Sequence, residues 1–155
     1  MSLASMENML SEFGASIGIP DLRPDAEHRC NLMFDEVAVS FELGVDDESI
    51  YIYALLGSVP EGDERNVYAD LLHANYVFDG TGGATLCVDP GTQGIVLLRA
   101  ERLESLRLAR FEALLEDFVN VAERWMKRAE SGELGASTAA DAPAEAQPSG
   151  GMMRV

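Results

Sequence analysis

The sequence predicts an α+β fold: a helix, a three-strand antiparallel meander, a second helix, two further strands and a long C-terminal helix. Apolar residues recur every three or four positions in three segments and alternate with polar residues in others, the periods of helices and strands. Turns rich in glycine, proline and acidic residues separate these segments. A chain of 155 residues, 47% of them hydrophobic, builds one modest core, so we expect a single domain over residues 1–130.

The first helix and the meander come first along the chain. Gly14 and Gly18 weaken the helix and Pro20 ends it. Alternation then predicts two strands around an Asp-Glu turn, and an apolar run over residues 50–56 predicts a central strand covered on both faces. The helical stripe is Met6, Met9, Leu10, Phe13 and Ile17, and the strand positions are Cys30, Leu32, Phe34, Val37, Val39, Phe41 and Leu43.

The second half of the domain begins with a short helix over residues 64–75, in which apolar residues again have helical spacing. Two strands over residues 86–88 and 94–98 follow, joined by an Asp-Pro-Gly turn. A long helix then runs from Ser105, a predicted N-cap, through residue 130, a length of about 39 Å. Its apolar stripe is Leu108, Phe111, Leu114, Leu115, Phe118, Ala122, Trp125 and Met126.

The composition changes beyond residue 130 to alanine, serine, glycine, proline and acidic residues. Too few apolar side chains are present there to offset the entropy lost on ordering. Residues 131–155 are therefore predicted to be a disordered tail.

The charge is strongly acidic and unevenly distributed. The formal net charge is −16, and residues 1–98 hold three arginines against seventeen acidic residues. Such a chain repels nucleic-acid phosphates and anionic lipid, so neither nucleic acid nor a membrane surface is an expected partner. It would attract a basic client, although solubility alone is an alternative explanation of the same charge.

The two cysteines, Cys30 and Cys87, are too few for a disulfide framework. No basic leader followed by an apolar run opens the sequence, and no apolar run approaches the roughly 18 residues of a membrane span. We therefore expect a cytoplasmic protein with both thiols reduced.

Two glycine motifs resemble catalytic or ligand-binding loops, but their contexts differ. Residues 14–18 satisfy the G-x-S-x-G pattern of serine hydrolases, which requires a strand before the turn, whereas a helical stripe precedes it here. Helix termination is the favoured interpretation. The Gly-Thr-Gly-Gly loop at residues 80–83 runs from helix to strand without a nearby lysine, unlike a phosphate-binding loop.

Metal-ligand candidates are also sparse. His28 and Cys30 would share one strand face, but structural zinc takes four ligands, and His73 and Cys87 are isolated in sequence. The acidic residues 46–48 lack the ligand spacing of a calcium loop and indicate a solvated turn. We therefore predict no metal, no cofactor and no catalytic residue, and a protein that is not an enzyme.

Three local features accompany the predicted element order: Thr-Gly-Gly-Ala at residues 81–84, the Asp89-Pro90 turn, and the apolar pattern of the closing helix up to Trp125. Together they resemble the class I effector chaperones of bacterial type III secretion systems, the Tir chaperone or CesT-like family, across residues 3–130. The sequence departs from this family at Cys87, where a small residue such as glycine is frequent, and in its long tail.

The resemblance implies a homodimeric, ATP-independent chaperone in the cytoplasm of a Gram-negative bacterium. Members of that family bind the N-terminal segment of a secreted effector in extended form and keep it export-competent, and the secretion ATPase is a further candidate partner. Apolar grooves and strand addition would supply the recognition. The implied effector-binding candidates, each with a core position as its alternative, are Phe13, Ile17, Leu32, Phe34, Val39 and Phe41. The implied dimer-interface candidates are Val67, Tyr68, Leu71, Leu72, Leu86 and Val88.

An acidic inhibitor or immunity-type protein that blocks a basic folded partner is the alternative hypothesis. The acidic residues 46–48 and the acidic excess of residues 1–98 would then bind by charge complementarity. This hypothesis predicts a salt-sensitive complex with a folded protein. The chaperone hypothesis predicts an unfolded peptide ligand and weak salt dependence.

Overall fold

The structure, a computed structural model, describes residues 2–136 and confirms the predicted α+β order. Three helices and five strands follow one another as predicted, with two short 3-10 turns between them. The elements are α1 (Ser2–Ile17), β1 (Arg29–Phe34), β2 (Val37–Leu43), β3 (Ser49–Ser58), α2 (Glu64–Asn75), a 3-10 turn (Tyr76–Phe78), β4 (Thr85–Val88), β5 (Gly94–Arg102), a second 3-10 turn (Leu103–Ser105) and α3 (Leu108–Glu130).

All five strands form one antiparallel sheet in the order β1-β2-β3-β5-β4. The meander β1-β2-β3 and the hairpin β4-β5 join because β5 pairs along the whole of β3. The helix α3 lies across β3 and β2, and α1 packs against α3 and β2 on the same face. The core therefore lies between this sheet face and these two helices.

β3 is the central strand, but it is covered on one face only. Its core side carries four buried residues, Ile50, Ile52, Ala54 and Leu56. On the other side Tyr51 and Tyr53 are half-buried and Leu55 is 62% exposed. The prediction that both faces of β3 are covered is therefore wrong within residues 2–136. The two tyrosines explain the error, because they are as β-prone as core residues yet keep a polar end in water; Tyr53 donates a hydrogen bond to the Glu42 carboxylate.

Three phenylalanines connect α1, β2 and α3 at the centre of the core. The Phe111 ring lies edge-on to Phe13, with centroids 5.2 Å apart, and 5.8 Å from Phe41. Phe41 and Phe111 are fully buried, and each such ring contributes about 2–3 kcal/mol from burial. Six of the eight predicted stripe residues of α3 are confirmed as buried: Phe111, Leu114, Leu115, Phe118, Ala122 and Trp125. Leu108 and Met126 are half-buried against the core, and the prediction missed the buried Val121.

The start of α3 differs from the prediction. Ser105 ends the second 3-10 turn, where its hydroxyl donates to the Arg102 carbonyl, and the N-cap position of α3 belongs to Arg107. Leu103 and Leu106 are 7% and 2% exposed. Their burial holds this segment in a turn, so tertiary packing overrides the capping preference of serine.

Contacts with the domain continue past the predicted boundary at residue 130. Leu134 is 6% exposed, and the Gly135 amide donates to Asp70 Oδ2 at 2.9 Å. The same oxygen accepts from Arg128 Nη2 at 2.9 Å, so one carboxylate of α2 holds both α3 and the segment after it. The predicted disordered tail otherwise falls on residues 137–155, outside the residues that the structure describes.

Candidate functional site

A groove lies between the end of α1, the β1–β2 turn and α3. Its volume is about 360 Å³. Phe13 forms part of the floor and is 3% exposed, while Ile17, at the end of α1, is 41% exposed. The other lining residues are Phe34, Asp35, Glu112, Leu115, Glu116, Val119 and Asn120. We name this cavity the α3 groove.

The α3 groove brings together three of the six predicted effector-binding residues: Phe13, Ile17 and Phe34. Leu32 is half-buried and packs against the core. Val39 and Phe41 must be corrected, because both are fully buried on the core face of β2 and cannot touch a ligand in this conformation. An alternating strand pattern shows which residues share a face, but not whether that face meets a helix or a ligand.

A second apolar surface lies between α2 and β4, and we name it the α2–β4 surface. It is a shallow depression of about 310 Å³ lined by Tyr68, Leu71, Leu72, Leu86, Cys87 and Val88. Five of these six are predicted dimer-interface residues. The sixth predicted residue, Val67, is fully buried in the core instead. Leu71 and Leu86 are nearly buried and form the floor, whereas Leu72 is 68% exposed.

Three exposed apolar residues that the sequence analysis missed follow directly after α2. Within α2 itself, Tyr68 and Leu72 are four residues apart and so share one side of the helix. In the 3-10 turn Tyr76–Phe78 the three side chains are 76%, 72% and 52% exposed. Val77 and Phe78 have φ of 48° and 58°, which costs about 1–3 kcal/mol each for such side chains. The sequence signal was an apolar run directly after a helix.

The outer edge of β1 offers backbone groups to an incoming strand. His28 O accepts from Leu43 N, so residues 30, 32 and 34 point their backbone groups at β2 and residues 29, 31 and 33 point theirs outward. The outward backbone groups of Arg29 are already bonded by Asp25. The Asp25 amide donates to the Arg29 carbonyl, and the Asp25 carboxylate accepts from the Arg29 amide. Asn31 and Met33 are left with outward backbone groups that bond nothing within residues 2–136.

The opposite edge of the sheet is partly closed. Asp89 N donates to Gly94 O, which places the backbone groups of Leu86 on the outer side of β4. Asn75 occupies them as a strand would: its Nδ2 donates to Leu86 O at 2.9 Å and its Oδ1 accepts from Leu86 N at 2.8 Å. β4 also has only four residues. An added strand therefore finds more backbone to pair with at β1.

The hydrolase-like motif lies in a helix. Ser16 is in α1, and its hydroxyl donates to Phe13 O and to Glu112 Oε1, at 2.9 and 2.6 Å. Gly18, with φ of 80°, ends α1 as expected. Glycine is needed at residue 14 for a different reason, since a Cβ there would lie 2.4 Å from the Ile19 carbonyl oxygen.

The loop at residues 80–83 presents carbonyl groups to cationic and N–H donors, which is the reverse of a phosphate site. Trp125 Nε1 donates to Gly80 O at 3.0 Å, and Arg99 Nη1 donates to Gly82 O at 3.1 Å. Gly82 and Gly83 have φ of 60° and 93°, which explains the glycines. The loop that follows α2 is therefore held by hydrogen bonds to α3 and β5.

The acidic residues 46–48 are used by their own turn. The Asp46 carboxylate accepts from the amides of Glu48 and Ser49 and from the Ser49 hydroxyl, and these hydrogen bonds lower the pKa of Asp46. Glu48 forms an ion pair with Arg102 at 2.7 Å. Within residues 2–136 no cluster of three histidine, cysteine or acidic residues is placed to hold a metal ion. No helix in that range has the length and apolarity of a bilayer span.

Comparison with known proteins decides the family. Residues 8–126 match the family model described as Tir chaperone protein (CesT). The chain belongs to the Tir chaperone protein (CesT) family. It is 28% identical to the Tir chaperone of Citrobacter freundii over 117 residues, which cover 76% of this chain and 74% of that protein.

Solved structures agree with this family. A chain of the ExsC–ExsE complex is 26% identical, with a TM-score of 0.66 over 81% of this chain and 93% of that chain. A chain of the HopA1–SchA chaperone–effector complex has a TM-score of 0.68 over 82% and 97%, and at 17% identity it shows the fold alone.

Proposed function

We propose that this protein is an ATP-independent chaperone that binds the N-terminal segment of a type III secreted effector in extended form. Binding would keep that segment soluble and export-competent in the bacterial cytoplasm until it reaches the secretion ATPase. Membership of the Tir chaperone family over residues 8–126 is the observation that carries this proposal. The 28% identity to the Tir chaperone of Citrobacter freundii supports it.

The effector segment would bind at the open edge of β1 and in the α3 groove. These two features are continuous, because Phe34 ends β1 and lines the groove. Main-chain hydrogen bonds to Asn31 and Met33 would supply affinity that is independent of sequence, and the apolar floor would select bulky side chains.

The chaperone would act as a homodimer joined through the α2–β4 surface. Tyr68, Leu72, Tyr76, Val77 and Phe78 are exposed on α2 and in the turn directly after it, and exposed apolar areas on soluble proteins mark interaction sites. In a twofold dimer each apolar side chain meets its own copy or a neighbour on the same surface, so the surface must be self-complementary.

Affinity capture from the native bacterium tests the function, with the full-length tagged chain and mass spectrometry of what it retains. We expect one large secreted protein, held through its N-terminal region. Met33→Pro removes the outward amide of β1 without removing a ladder hydrogen bond and should abolish capture, whereas Met33→Ala should retain it.

The acidic-inhibitor hypothesis is not favoured, because the acidic turn that it needs is engaged in its own hydrogen bonds and in the ion pair with Arg102. Capture of a folded basic protein by a monomer, unaffected by Met33→Pro, would overturn the chaperone proposal in its favour.

A further inference from the structure

The α3 groove is longer than its apolar part. A second depression of about 260 Å³ adjoins it, and Asp35 lines both. Together they follow α3 from Glu112 to Glu130, a distance of about 27 Å. The remaining lining residues of the second depression are Glu36, Val37, Glu123, Met126 and Lys127.

Carboxylates dominate the rim of this long groove. Six acidic residues and one lysine line it; the acidic residues are Asp35, Glu36, Glu112, Glu116, Glu123 and Glu130. None of the six takes part in an ion pair within residues 2–136. In contrast, Glu101 and Glu104 on the other side of the molecule pair with arginines. The negative charge of the rim is thus largely uncompensated beside an apolar floor.

We propose that the segment bound in this groove is basic as well as apolar, with arginine or lysine side chains paired to the rim carboxylates. This inference rests on the proposed function and specifies the chemistry of its client. Bulky apolar side chains would fill the floor around Phe13, Ile17 and Phe34, and an acidic segment would be repelled.

The spacing of the carboxylates defines the repeat of the segment. Glu116, Glu123 and Glu130 are seven residues apart on one side of α3, so successive carboxylates are separated by about 10 Å. A segment in the extended polyproline II form advances about 3.1 Å per residue and places every third side chain on the same side. A basic residue at every third position would therefore meet successive glutamates.

Two synthetic twelve-residue peptides test this inference on the full-length protein by fluorescence anisotropy. One has arginine at every third position among leucine, phenylalanine and serine, and the other has glutamine in place of each arginine. We expect the arginine peptide to bind about tenfold more tightly at about 50 mM salt, since three exposed ion pairs each contribute about twofold. The tighter binding of the arginine peptide should shrink several-fold at about 300 mM salt. This stronger salt dependence takes the place of the weak one that the sequence analysis expected for a chaperone complex.

Matched protein variants separate the groove from the overall charge. Asp35→Asn/Glu116→Gln/Glu123→Gln should remove most of the preference for arginine. The control Asp47→Asn/Glu61→Gln/Asp63→Asn removes three charges from exposed positions outside the groove and should keep it.

Each result has one meaning. Equal binding of the two peptides would overturn the inference and leave the proposed function standing, and so would an equal loss of preference in the control variant. If neither peptide binds, the inference fails, and the proposed function is then decided by the affinity capture from the native bacterium.

Discussion

The two apolar surfaces of this protein differ in charge. The α3 groove is rimmed by carboxylates, whereas none of the six residues that line the α2–β4 surface is charged. A second copy of a chain with a net charge of −16 is repelled at long range, so an interface free of carboxylates favours self-association. A basic segment is instead attracted to the acidic rim. The distribution of charge, rather than apolarity, therefore distinguishes a surface suited to self-association from one suited to a foreign peptide.

Phe41 and Phe34 mark the limit between core and groove, and this pair gives the largest expected effect. Phe41→Asp places a carboxylate in the fully buried position beside Phe111 and should cost more than about 4 kcal/mol of unfolding free energy. Phe34→Asp, in a half-buried groove position, should leave the protein folded and impair client capture. Chemical denaturation followed by circular dichroism measures the unfolding free energy of both variants, and affinity capture measures client binding by Phe34→Asp. A stably folded Phe41→Asp protein would mean that Phe41 is a candidate effector-binding residue rather than a core residue.

Leu72→Glu tests the uncharged surface. A carboxylate on each partner at an apolar contact should raise the dimer dissociation constant at least a hundredfold, about 3 kcal/mol. Leu55→Glu is the matched control, since Leu55 is 62% exposed and Leu72 is 68% exposed. Analytical ultracentrifugation gives the masses. If Leu72→Glu keeps the wild-type mass, the self-association surface lies elsewhere.

Asp70 connects α2 to α3, the helices beside the two surfaces, because its carboxylate bonds Arg128 and the Gly135 amide. Asp70→Asn weakens a charge-assisted pair and should lower the unfolding free energy by about 1–3 kcal/mol. Asp63→Asn is the control, because that side chain caps no helix and is exposed. Thermal denaturation of both variants makes the comparison. Equal melting temperatures would mean that the bonds of Asp70 to Arg128 and Gly135 contribute nothing to stability.

Cys87 reports on the α2–β4 surface with the smallest perturbation. Burial raises the pKa of the Cys87 thiol, so little reactive thiolate exists near neutral pH, and the alkylation rate should rise about tenfold per pH unit below that pKa. Dimerisation should slow labelling several-fold further as protein concentration increases. Cys30 is 5% exposed and provides an internal reference, since burial and the Asp25 charge raise its pKa too. A Cys87 rate independent of concentration would argue against cover by a second copy.

Some of the fold followed from local patterns, and part of the candidate site from the family resemblance. α2 spans Glu64–Asn75 in the structure, as predicted, because its apolar spacing and the proline-glycine loop before it are local signals. The resemblance, rather than a local pattern, suggested the effector-binding candidates; the structure places Phe13, Ile17 and Phe34 around one groove but buries Val39 and Phe41 in the core. Ser105 shows a related error, in which the burial of Leu103 and Leu106 outweighed a local capping preference.

The α+β order, the family resemblance and the acidic character of the chain followed from the sequence, because hydrophobic period, turn residues and composition are properties of neighbouring positions. Tertiary packing set which backbone groups at the sheet edges are left unpaired. Asn75 bonds the outward groups of Leu86 on β4 across 11 residues of sequence, while the outward groups of Asn31 and Met33 on β1 bond nothing in residues 2–136. It also decided which carboxylates surround an apolar floor, since Asp35 and Glu116 become neighbours only when the β1–β2 turn packs beside α3. Such placements depend on long-range packing, which no local pattern encodes.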